Sequence, residues 1–309
     1  MQTLKACPIC QSVRFKSYIQ TKAQMHPSVQ LFNFDQCGEC QLVFLNPRVA
    51  PADLMDYYTD YYLPYRGPKA WGKYERLVAG SQQKLDAKRA KLVHQFHPLN
   101  RDKKVLDVGC GKPTFLQKCV DLYACQGIGI DFSDEGWTNV PNTFNALELM
   151  VGEVASIPEN TAPDVITMWH YLEHDYAPIA NLKKLRQIAK KETTLIFEVP
   201  NFASESREKY GQHWAGWHTP RHTSLFSPDN IRLLLKNSGW KTQEVLTYGT
   251  LDPYLLYWMS EMEQKGIEWD KNMEEEFFSF VIGMLRFMPT SWRQKSRSLG
   301  IMTVIAFIE

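Results

Sequence analysis

Short apolar runs separated by helix-length stretches dominate the chain between residues 104 and 201. The runs are 104–108, 128–131, 149–153, 164–169 and 193–201. Each has the length and aliphatic content of a strand covered on both faces. Strands alternating with helical patterns predict an α/β fold with a doubly wound, Rossmann-like sheet. A last apolar run, 301–308, predicts a final core strand, read as the antiparallel edge of that sheet. Ahead of the sheet, Pro51 and early acids open a short helix. Residues 69–97 predict a longer one with a stripe of Leu77, Leu85, Leu92, Val93 and Phe96. Two strongly apolar helical stretches, 254–259 and 277–285, lie before the last strand. Near the start, 14–18 and 30–34 suit short strands. The organisation expected is a small module over 1–50, a helical linker over 51–100, a core over 101–250, a helical insertion over 251–297 and a final core strand over 298–309.

The first strand of the core carries the chemistry. Gly109 and Gly111 follow it, and glycines there let the backbone bend sharply and approach a ligand. Asp131 stands at the end of the next strand, where ribose hydroxyls need an acceptor. A dinucleotide site would read G-x-G-x-x-G and hold pyrophosphate on a helix N-terminus. Here Thr114 occupies the third glycine position, and Asp107, just before the first glycine, suits a cationic amino group. The pattern describes half of a nucleoside-cofactor site.

Four cysteines carry a second signal. Cys7-Pro8-Ile9-Cys10 and Cys37-Gly38-Glu39-Cys40 form two C-x-x-C pairs. Four thiolates at this spacing suit a closed, structural zinc site of the ribbon type; a redox pair or disulfides are the alternatives. Cys110, Cys119 and Cys125 lack ligand spacing.

Net charge is +1, with 44% hydrophobic and 22% charged residues. No global field draws the chain to nucleic acid. Residues 1–48 hold five cations and two acids, a weak basic footprint, so the ribbon is read as structural or as a substrate lid. No apolar stretch of spanning length occurs. Metal-type cysteines without an export signal point to the cytoplasm. The segment 210–222 gathers His213, Trp214, Trp217, His218, Arg221 and His222 in a loop with Gly211 and Gly216. It is read as a substrate loop, with tryptophans as flat faces for a ring, His222 as first choice for a base, His218 beside it, and Arg221 as a bidentate fork for a substrate anion. His174 is read as structural.

The segment from Asp107 to Pro113 resembles motif I of the class I S-adenosylmethionine-dependent methyltransferases, D/E-x-G-x-G-x-G, with Pro113 in place of the last glycine. Residues 151–158 resemble the family's G-D-A-x-x-L-P, with Glu153 for the aspartate. Residues 169–174 resemble its post-strand segment ending L-E-H. The resemblance implies that Asp107, Gly109, Cys110, Gly111, Asp131, Phe132, Glu153, Val154, Trp169 and His170 bind S-adenosylmethionine. There, the acid at position 153 would contact the adenine amino group and the backbone of Val154 would hold the ring.

With its ribbon and tyrosine-rich link, the chain is also similar to zinc-containing sugar C-methyltransferases, whose Y-x-E-H-x-x-Y-F segment matches here only at His222 and Phe226. That implies methyl transfer to a small molecule, such as a nucleotide- or lipid-linked sugar of surface-polysaccharide or secondary-metabolite synthesis. The competing readings are an RNA methyltransferase whose ribbon holds nucleic acid, and a silent cofactor-binding protein, motivated by Pro113. The stretch 277–297 is either internal packing, a dimer contact or a helix lying on a membrane surface beside Arg286, Arg293, Lys295 and Arg297.

Overall fold

The computed structural model describes residues 1–140 and 142–308. Pro141 and Glu309, the latter within the expected final segment, lie outside them. The strands are β1 (Phe15–Lys22), β2 (Leu31–Cys37), β3 (Val43–Leu45), β4 (Lys104–Val108), β5 (Gln126–Asp131), β6 (Leu147–Val151), β7 (Val165–Trp169), β8 (Thr194–Pro200), β9 (Ser224–Leu225), β10 (Lys241–Leu246) and β11 (Ile301–Phe307). The helices are α1 (Leu63–Arg66), α2 (Glu75–Phe96), α3 (Thr114–Tyr123), α4 (Glu135–Thr138), α5 (Pro178–Ile188), α6 (Glu205–Tyr210), α7 (Pro228–Ser238), α8 (Pro253–Lys265) and α9 (Phe277–Ser291).

Seven strands form the main sheet in the order β10-β11-β8-β7-β4-β5-β6. Strands β4 to β8 are parallel to one another, and β11 runs antiparallel to β8 and β10. The direction of the sheet's winding reverses beside β4, which opens a crevice at the carboxyl ends of β4 and β7. The final strand is therefore interior, not an edge. It begins opposite Pro200 and ends opposite Thr194, because the chain returns from the helical insertion above the carboxyl edge and must run back down. The edge is β10, whose polar sequence Lys241-Thr242-Gln243-Glu244 gives no buried-strand signal. Polar edges of this kind discourage pairing with other chains.

The N-terminal module does not close on itself. Its sheet runs β1-β2-β3-β9, so the fourth strand comes from beyond β8. Leu45 donates its amide to the Thr223 carbonyl at 2.9 Å. From α7, Asn230 Nδ2 donates to the Cys40 carbonyl at 2.6 Å and Asn237 Nδ2 to the Ile9 carbonyl at 2.8 Å. Cys7, Ile9, Cys37 and Phe44 share one apolar core with Phe226, Ile231 and Leu234.

A second core is aromatic. Trp71, Trp214, Trp217, Trp258 and Trp269 join the tyrosine-rich link, the loop after α6 and the helical insertion. Phe280 and Phe287 of α9 pack inward on Tyr254, while Phe278, Ile282, Leu285 and Trp292 stay exposed. Among the described residues, no helix is long and apolar enough to cross a membrane. Along α2 the expected apolar stripe fails at Leu77, which is exposed. The buried face is instead Asp86, Arg89, Ala90 and Val93, and two of these are charged because they face a polar cavity rather than the core.

Candidate active site

The cofactor turn grows directly out of β4. Gly109 has φ +74°, and a Cβ there would stand 2.5 Å from the Tyr171 ring. The amides of Gly109 and Cys110 both donate to the Ile130 carbonyl, at 2.8 and 3.1 Å. Gly111 donates its amide to Asp131 Oδ2 at 2.8 Å, and Ser133 to Oδ1 at 3.3 Å. These bonds aim the Asp131 carboxylate over the turn, although burial pushes its pKa up. Pro113 immediately precedes α3, where a missing N–H costs little because the first amides of a helix lack internal partners anyway.

Asp107 is buried and accepts from Thr167 Oγ1 at 2.6 Å. Burial pushes its carboxyl up to about 7, against the pull of the Thr167 hydrogen bond and of Arg89. A polar cavity of about 130 Å³ opens beside it, lined among others by Gln82, Asp86, Arg89, Gly109 and Trp169. The Arg89 guanidinium lies 4.7 Å from the Trp169 ring centre and 3.9 Å from Glu198 Oε2. Trp169 Nε1 is buried without a partner among the described residues. Two acids, Asp86 and Asp107, and the Arg89 guanidinium thus line the same cavity, a set of charges that fits the ammonium and carboxylate of an amino-acid moiety. Phe132 is exposed at the rim, 6.1 Å from the Tyr58 ring. Glu153 is exposed and Val154 buried beside the end of β6.

Across the crevice lies a group of histidines. His170 follows β7 with φ +56°, its amide donating to the Glu198 carbonyl at 2.9 Å. Its Nδ1 stands 3.5 Å from Glu173 Oε1. Glu173 is buried, and both its carboxylate oxygens lack a hydrogen-bond partner among the described residues. His174 Nδ1–H donates to the Arg221 carbonyl at 3.1 Å. His222 Nδ1–H donates to the Gly216 carbonyl at 2.8 Å, and its Nε2 lies 3.2 Å from His218 Nδ1 and 4.0 Å from Glu173 Oε1. Burial above all holds the His174, His218 and His222 imidazoles below the ordinary histidine range, so they are neutral near pH 7. The Tyr58 hydroxyl reaches His174 at 3.4 Å and the Tyr62 ring lies 5.6 Å from His218.

Two expectations for the substrate loop fail. Arg221 is fully buried, with its terminal nitrogens donating to the Tyr57 and Gln24 carbonyls at 2.7 and 2.6 Å. Its guanidinium fastens two backbone segments and stacks on Tyr62 at 4.1 Å, so no fork remains for a substrate anion. Trp214 and Trp217 are buried, and their indole N–H groups donate to Ser206 Oγ and the Gly211 carbonyl. They are core because those two internal acceptors satisfy the polar end that would otherwise favour solvent.

Sequence reasoning overlooked Gln82, Asp86 and Arg89, and gave Glu173 no role. An acid and an arginine three apart, in line with Ala90 and Val93 on one helix face, are the signal that could have found the first group. Cys7, Cys10, Cys37 and Cys40 converge. Cys7 Sγ lies 3.5 Å from Cys40 Sγ and Cys10 Sγ 3.5 Å from Cys37 Sγ. Zinc–sulfur bonds of about 2.3 Å in a tetrahedron require about 3.8 Å between sulfurs, so the cluster fits the ion with little movement. Burial pushes the Cys110, Cys119 and Cys125 thiols up, which suits packing rather than nucleophilic attack.

No curated protein matches the chain. Among solved structures, a chain of mycolic acid cyclopropane synthase CmaA1 complexed with SAH and CTAB is 14% identical, with TM-score 0.49 and coverage of 72% of this chain and 82% of that one. A SAM-dependent methyltransferase from Aquifex aeolicus is 17% identical, with TM-score 0.47 and coverage of 78% and 98%. Coclaurine N-methyltransferase bound to N-methylheliamine and SAH is 12% identical, with TM-score 0.46 and coverage of 72% and 71%. The model of the methyltransferase domain family matches residues 81–245, more than half of the chain. That span begins within α2, one position before Gln82, and ends within β10, so it takes in the cofactor turn, Asp131, Arg89 and the histidine group. The chain therefore belongs to the methyltransferase domain family and is an S-adenosylmethionine-dependent methyltransferase.

Proposed function

We propose that the chain methylates a small molecule in the cytoplasm, a nucleotide- or lipid-linked sugar of surface-polysaccharide or secondary-metabolite synthesis. The observation that carries this reading is the enclosure of the acceptor side. Tyr58, Tyr62, His174, His218 and His222 form one contiguous cluster of rings beside the crevice, a closely packed wall that favours a small acceptor over a folded polynucleotide. The ribbon's cations also favour it over RNA. Arg14 pairs with Glu39, and Arg48 is buried against the Gln2 side chain and the Tyr176 carbonyl.

Arg89 and Asp107 would hold the carboxylate and ammonium of the cofactor's methionine end. Asp131 would accept from the ribose, with Phe132, Glu153 and Val154 at the adenine. Bound S-adenosylmethionine supplies an electrophilic methyl group on its sulfonium. The Gly216 carbonyl fixes the His222 tautomer and leaves its Nε2 as an acceptor for His218 Nδ1–H. That leaves the lone pair of His218 on Nε2, an atom without a protein partner among the described residues. His218 then takes the acceptor's proton and His222 holds it in place. Zinc on the four cysteines would hold the ribbon, and through β9 the loop that carries both histidines.

The outer face of α9 bears on the lipid-linked case. Phe278, Ile282, Leu285 and Met288 are exposed on it, as is Trp292 directly after it, Arg286, Arg293 and Lys295 are exposed nearby, and 277–297 contains no acid. Such a face suits the surface of an anionic bilayer. Flotation with anionic vesicles tests this, and an absence of binding removes the membrane contact. The main reading is tested by incubating the protein with S-adenosylmethionine and a panel of sugar nucleotides. Release of S-adenosylhomocysteine with only some sugars is expected; methylation of RNA with none of the sugars would overturn it.

A further inference from the structure

We propose that Glu173, His174 and His222 hold a divalent transition-metal cation on the acceptor side of the crevice, distinct from the four-cysteine site. The binding claim stands on the geometry of these residues; only its use in methyl transfer rests on the proposed function.

One potential ligand atom from each of the three residues lies within 4.8 Å of the other two. Glu173 is 1% exposed, and neither carboxylate oxygen has a hydrogen-bond partner among the described residues. His170 Nδ1 stands 3.5 Å and His222 Nε2 4.0 Å from Glu173 Oε1. A carboxylate taken out of water without donors is costly, and a cation placed between it and neighbouring lone pairs removes that cost. The histidines are prepared for this. His174 and His222 each spend Nδ1–H on a backbone carbonyl, of Arg221 and Gly216. Both tautomers are thereby fixed with the lone pair on Nε2, the arrangement seen around metal-ligating imidazoles.

Two imidazoles and a carboxylate suit a borderline first-row ion such as Zn²⁺, Mn²⁺ or Fe²⁺. Nitrogen and oxygen ligands at about 2.0–2.1 Å stand about 3.4 Å apart in a tetrahedron, so closing on the ion takes movements of under about 1.5 Å. Three protein ligands leave coordination positions open. An acceptor oxygen placed there would be polarised facing the donor side. Loading the ion turns the His222 lone pair from His218 to the metal, and His218 alone remains to take a proton.

The test uses the full chain, purified reduced, treated with a mild chelator, and titrated anaerobically with Co²⁺. A second equivalent of metal is expected beyond the chelator-resistant zinc, with visible bands of nitrogen and oxygen ligation and no thiolate charge transfer. Glu173→Gln and His174→Ala should lose that equivalent while keeping the cysteine-bound zinc and S-adenosylhomocysteine binding, which report an intact fold. Cobalt bound only with thiolate bands in the unmodified protein would overturn the proposal, as would a second equivalent that survives both substitutions. Failure of the methyltransferase reading shows separately, as absent S-adenosylhomocysteine binding with the cobalt bands unchanged.

Discussion

The four-cysteine cluster and the Glu173–His174–His222 group differ in how much of their geometry is local. Each pair of cysteines sits on one knuckle, and two knuckles suffice to bring four sulfurs together. The second group takes Glu173 and His174 from the turn after β7 and His222 from a loop more than 40 residues on. Local spacing makes the first group readable in sequence and leaves it nearly closed, as a structural site is. Long-range convergence hides the second and leaves it open, as chemistry requires. The two are also joined mechanically, since β9 pairs with β3 and immediately follows His222 and Thr223.

That joining can be broken from the cysteine side, with the largest effect expected here. Cys37→Ser should abolish zinc binding, which contributes on the order of 10 kcal/mol of folding energy in small zinc modules. The module should loosen, and the histidine loop with it, while the cofactor site on β4 and β5 keeps its affinity. Metal analysis, thermal melting and calorimetry with S-adenosylhomocysteine check this. A variant that still carries about one chelator-resistant zinc per chain would show that the cysteines are not the ligands.

From the histidine side, His218→Ala should lower turnover by about 10²–10⁴-fold with cofactor affinity nearly unchanged, the usual size for loss of general-base function. The variant should also keep the four-cysteine zinc. Full turnover would place the acceptor chemistry away from this loop.

The same contrast governs how far the fold and the site could be read ahead of the structure. Gly109, Gly111 and Asp131 stand within one strand-turn-helix-strand unit, and the parallel strands announce themselves as apolar runs. Arg89 and Asp86 do not, because a polar cavity draws charge onto the inner face of a helix that hydrophobic patterning alone reads as apolar. Arg221 was readable as a cation but not as a backbone clamp. Its partners Gln24 and Tyr57 lie some 160 to 200 residues away. Trp214 and Trp217 misled in the same way, since loop composition cannot reveal that their indoles find acceptors inside. Strand β9 has two residues and exists only because β3 offers it an edge.

A smaller effect sharpens the donor side. Asp131→Ala should weaken S-adenosylmethionine binding by about 1–3 kcal/mol, the cost of leaving buried donors without a charged acceptor. Arg89→Ala should cost a similar amount if the guanidinium holds the cofactor's carboxylate. Calorimetry decides both, and unchanged affinity in the pair would move the cofactor away from the cavity beside β4.

The finest effect is a pH dependence that belongs to the donor side alone. Burial pushes Asp107 up to about 7, so below that pH the carboxyl of the free protein is largely protonated. The ammonium of the cofactor favours the ionised form, so binding below pH 7 must expel a proton. Affinity should therefore rise with pH up to about 7, by at most about tenfold per unit, and level off above it. Asp107→Asn cannot ionise; its affinity should be lower at pH 8 and nearly flat as the pH falls. Calorimetry in two buffers of different ionisation enthalpy, near pH 6, should detect proton release in the unmodified protein and none in the variant. A slope that survives Asp107→Asn would assign the titration to another group. Asp131, also raised by burial, is next in line, and Asp131→Asn would then be the variant that flattens the profile.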